Sequence, residues 1–105
     1  MSYNNNVGFI VAGISAGATV TTGAASAFVA IPTVQGNVTP RFIRVSATTE
    51  SYVRLGTSSV VATTNDLLVQ PSDCLMLAIP NGITHIAYIQ GTATGKVNIA
   101  PMEMN

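Results

Sequence analysis

Over much of the second half of the chain, apolar and polar residues alternate one by one, the two-residue period of a strand with one buried face. From Arg41 to Ala47, Ile43, Val45 and Ala47 fall on one side, Arg44 and Ser46 on the other. From Tyr52 to Leu55, Val53 and Leu55 oppose Tyr52 and Arg54, and later Val97 and Ile99 alternate with Lys96 and Asn98. Turn-forming clusters mark off further short strands between them. Gly56-Thr57-Ser58 leads into Ser59 to Thr63, Thr64-Asn65-Asp66 into Leu67 to Val69, and Gln70-Pro71-Ser72-Asp73 into Cys74 to Ile79. Pro80-Asn81-Gly82 then precedes Ile83 to Gln90 and predicts a hairpin, because Asn-Gly accepts the positive φ such a turn requires.

The opening has a different texture. After a polar lead-in, Met1 to Asn6, the run Val7 to Ala12 is apolar on both faces and predicts a strand buried on both. Gly13 to Gly17 interrupts it. Ala18 to Thr22 and Ala25 to Ile31 predict two more strands, rich in small residues and weakly fixed in register. Pro32 to Pro40 is a connection, with Gly36-Asn37 as a turn. No stretch carries a helical apolar stripe, and no internal repeat has a fixed period. Strands recurring roughly every eight to twelve residues between Gly, Pro and Asn turns predict an all-β chain. The expected architecture is an antiparallel β-sandwich or jelly roll of about eight short strands, with an extended uncharged N-terminal segment. One domain spans 1–105, with 1–40 the uncharged segment and first strands, and 41–105 the main β-sandwich.

Charge sharpens this picture. Residues 1–40 contain no Asp, Glu, Lys, Arg or His; all eight charged side chains and the single histidine lie between Arg41 and Glu103. Charged residues make up 8% of the chain and the formal net charge is zero, against about a quarter in an ordinary soluble domain. A domain of this length buries only about two-thirds of the surface its unfolded chain exposes. Part of the uncharged opening therefore lies outside any private core and needs cover from another molecule.

Several function classes fall away. Four basic residues offset by four acidic ones cannot neutralise a run of phosphates, so nucleic acid is not an expected partner. Val7 to Ile31 is long enough to cross a bilayer and holds a Gly13/Gly17 pair at helix-dimer spacing. It is broken by glycines and hydroxyl residues and lacks flanking Lys or Arg, so no membrane span is expected. Met-Ser-Tyr-Asn-Asn-Asn offers no basic start for a signal peptide. Cys74 is alone, which excludes an internal disulfide and a Cys-based zinc site; its thiol is expected to be buried. Asn37-Val38-Thr39 matches a glycosylation sequon, but Pro40 follows it directly.

Gly13-Ile14-Ser15-Ala16-Gly17 matches the G-x-S-x-G elbow of serine hydrolases, with Asp66 or Asp73 and then His85 in the order such enzymes use. The elbow needs a helix after the serine, whereas Ala-Thr-Val-Thr-Thr-Gly is β-branched and short of helix formers. No catalytic residue, cofactor or metal ligand is assigned, and no enzymatic activity is expected. His85 reads as a hydrogen-bonded structural histidine, and Asp66 and Asp73 as turn braces. Arg41, Arg44 and Arg54 fall close together, and Arg44 and Arg54 are placed on one face of a hairpin through the Thr48 to Ser51 turn. Two readings stand for them: a solvated face with a weak ion pair, or forked donors meeting acidic patches on a partner.

Ser51-Tyr-Val-Arg-Leu-Gly, Ala62-Thr-Thr-Asn-Asp and the run from Ile83 to Ile99 resemble small proteins encoded among the head genes of tailed bacteriophages. In size and texture the chain is similar to capsid decoration, or cement, proteins; the likeness covers about Arg41 to Glu103. It implies a β-rich protein on the capsid exterior, made in the host cytoplasm, which binds the major capsid protein as a dimer or trimer and stabilises contacts between capsomers. Such proteins commonly extend a terminal arm. Expected partner contacts are Phe9, Ile10, Val11, Phe28, Val29 and Ile31, each with ordinary core as the competing reading, together with Arg41, Arg44 and Arg54. The alternative is a head-fibre or tail-associated module that recognises a host surface glycan, which exposure of Tyr52 and Tyr88 in one groove would favour.

Overall fold

The computed structural model describes residues 16–34 and 38–102. Eight strands run in chain order: β1 (Ala18–Thr21), β2 (Ala27–Ala30), β3 (Phe42–Ala47), β4 (Ser51–Gly56), β5 (Leu67–Val69), β6 (Leu75–Ala78), β7 (His85–Gln90) and β8 (Lys96–Met102). Sheet one has the order β1-β8-β3-β6 and sheet two the order β2-β7-β4-β5. All pairings are antiparallel.

The pairs β1·β8, β2·β7, β3·β6 and β4·β5 are those of one long hairpin bent at the β4–β5 connection. Rolling that hairpin up brings β3 against β8 and β4 against β7 and closes both sheets. The result is the double Greek key of a jelly roll. The all-β expectation holds, and among the described residues there is no helix. In particular, no helix is long and apolar enough to cross a membrane.

The core follows from the two-residue period. Ile43 and Val45 of β3, Val97 and Ile99 of β8, Val53 of β4, Val69 of β5 and Ile86 of β7 are essentially inaccessible to solvent. They form one cluster with Ile31 and Tyr88, and Val20, Val29, Leu55, Leu75 and Leu77 pack at its margin. The register agrees: Val45 lies opposite Ile99 and Leu75, and Leu55 opposite Ile86. Residues directly opposite in an antiparallel pair share a face, so Arg44, Ser46, Asn98 and Lys96 face outward from sheet one.

β8 tolerates Pro101 because of this same alternation. Thr48 N–H donates to the Lys96 carbonyl at 2.9 Å, so even-numbered residues of β8 bond toward β3 and odd-numbered ones toward β1. At Pro101, opposite Ile43, β1 has already ended, and no ladder donor is missed. Just before β1 the chain runs tight against β8. A Cβ on Gly17 would collide with the Ile99 carbonyl oxygen and lie 3.1 Å from Ala100 Cα.

Three expectations are corrected. Pro80-Asn81-Gly82 does not make a hairpin: β6 pairs with β3 and β7 with β2 and β4, so this turn carries the chain from one sheet to the other. Ile83 N–H donates to the Pro80 carbonyl at 3.2 Å, and only Gly82, at φ 87°, is left-handed. That is a type II turn, whereas the tight hairpin turn suited to Asn-Gly needs positive φ at both central residues. Ser59 to Thr63 is not a strand. Ser59 adopts φ 79° in a turn closed by Val60 N–H to the Thr57 carbonyl at 3.0 Å, and the Asp66 carboxylate draws in Thr63 N–H at 2.7 Å. Cys74 is exposed rather than buried, because it lies in the link 70–74 between the sheets and not in β6. The strand expected over Val7 to Ala12 lies outside the described residues.

Two stability changes follow. Gly17→Ala is expected to lower stability by about 1–3 kcal/mol through overpacking against β8, read as a fall in the urea midpoint. Ser72, at φ 79° in the Gln70–Asp73 turn, carries the cost of a left-handed L-residue. Ser72→Gly is expected to raise stability by about 0.5–1 kcal/mol in the same assay.

Candidate interaction surface

The candidate contacts separate once the strands are in place. Phe9, Ile10 and Val11 lie outside the described residues, as does Ser15. Ile31 belongs to the core at 4% exposure, the competing reading held for it. Val29 faces inward opposite Ile86 and packs on the core margin. Phe28 points out from sheet two at 44% exposure. Its ring meets that of His85 edge to face, with centroids 5.6 Å apart and planes at 74°.

The three arginines do not form one patch. The link from Thr48 to Glu50 passes between the sheets, so Arg44 on β3 and Arg54 on β4 face outward on opposite sides of the sandwich; the shared hairpin face is corrected. Arg44 lies between Met76 and Ala100 in register. Arg54 Nε sits 3.9 Å from Asp66 Oδ1 with an exposed guanidinium, a pair worth about 0–1 kcal/mol. Arg41 lies at the end of the sandwich, where its carbonyl accepts from Ile79 N–H at 2.7 Å. It also lines a half-open cavity of about 330 Å³ together with Thr39, Pro40 and the Ile79–Thr84 turn. Among the described residues that line it, Arg41 is the sole charged one.

His85, Asp66 and Asp73 are engaged separately. His85 Nδ1 and Thr84 Oγ1 are 2.7 Å apart. The Asp66 carboxylate accepts from Thr63 N–H and Oγ1, and that of Asp73 from Gln70 N–H. Both acids brace turns as expected. No group of three or more His, Cys, Asp or Glu side chains that could hold a metal ion occurs among the described residues.

The outer face of sheet two carries a strap. Ala62, in the β4–β5 connection, donates its N–H to Ser26 Oγ at 2.8 Å. Ser26 precedes β2, which β7 separates from β4, so the connection must fold back across the sheet to reach it. Ala87 lies opposite both Phe28 and Arg54 and faces outward with them, yet its exposure is 0%; Ala62, at 2%, is buried as well. A strap lying over β7 accounts for both. Val61 beside it stands out at 58% exposure.

The edges of the two sheets are the feature that single-residue reading missed. The short links 22–26, 48–50, 70–74 and 91–95 join strands at matching positions in the two sheets. One side of the sandwich is therefore β1 beside β2 and the other β6 beside β5. None of these four edge strands contains a charged residue. The charged residues within strands are Arg44, Arg54 and Lys96, all on the central strands β3, β4 and β8. Natural edges are usually guarded by charge, proline, bulges or brevity; of these, the four strands show brevity alone, at three or four residues each. The signal was the uncharged stretch itself, whose residues 18–30 form the β1/β2 side.

No protein-family model, curated protein or solved structure matches the chain.

The strap predicts a local effect. Ser26→Ala leaves the buried Ala62 N–H without its acceptor, at a cost of about 1–3 kcal/mol. Amide exchange at Ala62 should accelerate well beyond that at Val45, whose ladder does not depend on the strap.

Proposed function

We propose that the chain is a structural virion protein that binds the outer surface of a tailed-bacteriophage capsid as a homo-oligomer and stabilises contacts between capsomers. The observation that carries this reading is the absence of charge from all four sheet edges, together with exposed apolar side chains at Phe28, Val61, Leu67 and Met76. A domain that spends its life alone in water benefits from charged edges, since bare ones invite strand pairing. A subunit held in a lattice has neighbours to cover them.

The partner in this reading is the major capsid protein, and the location is the capsid exterior after synthesis in the host cytoplasm. The resemblance of Ser51–Gly56, Ala62–Asp66 and Ile83–Ile99 to capsid decoration proteins supports it. The jelly roll is compatible, since viral capsid proteins use that fold, but lectins use it too and fold alone does not assign function. Individual contacts need not be strong. Many copies, each presenting a modest interface to a repeating shell, gain from multivalency.

The glycan-binding alternative receives no support from the tyrosines. Tyr52 faces outward, whereas Tyr88 faces the core at 9% exposure, so the two do not form a common aromatic platform.

Purified chain mixed with tailed-phage heads and sedimented should pellet with the heads to a saturating ratio set by capsomer number. It should also raise the temperature at which the heads lose their DNA. A chain that stays in the supernatant with its cognate heads, and instead binds host cells in a sugar-competable way, would overturn the proposal in favour of the alternative.

A further inference from the structure

The β1/β2 side of the sandwich presents backbone groups that meet no partner among the described residues. Ile31 N–H donates to the Thr84 carbonyl at 3.0 Å, and the register continues as Val29 opposite Ile86 and Ala27 opposite Tyr88. In an antiparallel ladder the bonded and non-bonded pairs alternate. Phe28 and Ala30 therefore turn their N–H and C=O groups away from β7, to the free edge. Among the described residues neither has a bonding partner there. The same alternation on β1, anchored by Thr22 N–H to the Gly95 carbonyl at 2.8 Å, turns Thr19 and Thr21 outward on sheet one.

We infer that β2 pairs antiparallel with β2 of a second copy about a twofold axis through Val29, joining two copies of sheet two into one continuous eight-stranded sheet. The inference rests on the homo-oligomeric part of the proposed function and names the surface that forms it.

Four observations fit a second copy as the occupant. An identical strand supplies the identical row of donors and acceptors, so each edge satisfies the other in an isologous contact. The edge carries no charge and the chain no net charge, so nothing repels a copy. Opposed residues in a ladder share a face, which forces the axis onto a residue and not between two. An axis at Val29 sets Phe28 against Ala30 of the second copy, a large side chain over a small one, and matches the two outward-facing backbone positions with four hydrogen bonds.

An axis at Phe28 would instead press two phenylalanines together. The four-residue length of β2 limits the contact to a discrete pair and does not favour open-ended stacking.

The test is a charge swap on the full chain, read by sedimentation equilibrium with a thiol reductant present. The wild-type chain, 10.8 kDa, should sediment with twice that mass. Phe28→Lys alone and Ala30→Glu alone should each raise the dissociation constant about tenfold or more, because each buries an unpaired charge in the seam.

The double variant F28K/A30E should recover most of the dimer, since each introduced lysine then faces an introduced glutamate across the axis. Both positions are exposed, so the variants should keep the wild-type circular dichroism. A wild-type chain that is monomeric at all concentrations, a dimer indifferent to both single changes, or a double variant weaker than either single one would overturn the inference. So would a β2 edge that the chain's own residues 1–15 occupy, seen as protected Phe28 and Ala30 amides in a monomer. Capsid sedimentation of the single variants separates the two claims: heads that still bind a monomeric variant leave the proposed function standing without this dimer.

Discussion

The structure depends on a dry seam between two antiparallel sheets, filled from both sides by branched aliphatic side chains. Ile43, Val45, Val97 and Ile99 enter it from sheet one, and Val53, Val69 and Ile86 from sheet two. Each of these residues is fixed by the one opposite it in its ladder, and a one-residue slip would send a whole strand's apolar set into water. The central strands are therefore the specified part of the molecule. They hold the charged residues too, because a strand with a strict inside has a strict outside on which Arg44, Arg54 and Lys96 are free to sit.

How much of this the sequence revealed follows the same division. The alternation around Ile43, Val53 and Ile99 is unambiguous, and those strands and their buried faces were readable from it. So were Leu67 to Val69, enclosed by turn residues, and the turn roles of Asp66 and Asp73. What failed was choice of partner. Pro80-Asn81-Gly82 looks like a hairpin locally, but β6 pairs with β3 and β7 lies in the other sheet, and a turn's own residues do not encode that.

Arg44 and Arg54 were misplaced for the same reason, since a three-residue link reads alike whether it turns within a sheet or between sheets. Val60 and Val61 favour a strand by propensity and are overruled by left-handed Ser59 and the Asp66 carboxylate. In the small-residue opening there is little alternation to read, so core and contact remained equal readings for Phe28 and Ile31. The structure sends the first outward and the second inward.

The strap and the edge belong together in this account. Ser26 anchors the β4–β5 connection next to β2, whose outer side pairs with no other described strand. The covering that one part of the chain gives to β7 thus stops at β2. Phe28 and Val61 remain on the uncovered side of that boundary, where an additional strand would continue the sheet.

The distribution of charge also sets the broad faces of the molecule apart from its lateral strands. Both broad faces carry cationic strand residues, Arg44 and Lys96 on one and Arg54, paired with Asp66, on the other. The lateral strands β1, β2, β5 and β6 carry none. A molecule built this way is best hydrated on its broad faces and relies on shortness alone to keep its four lateral strands from pairing.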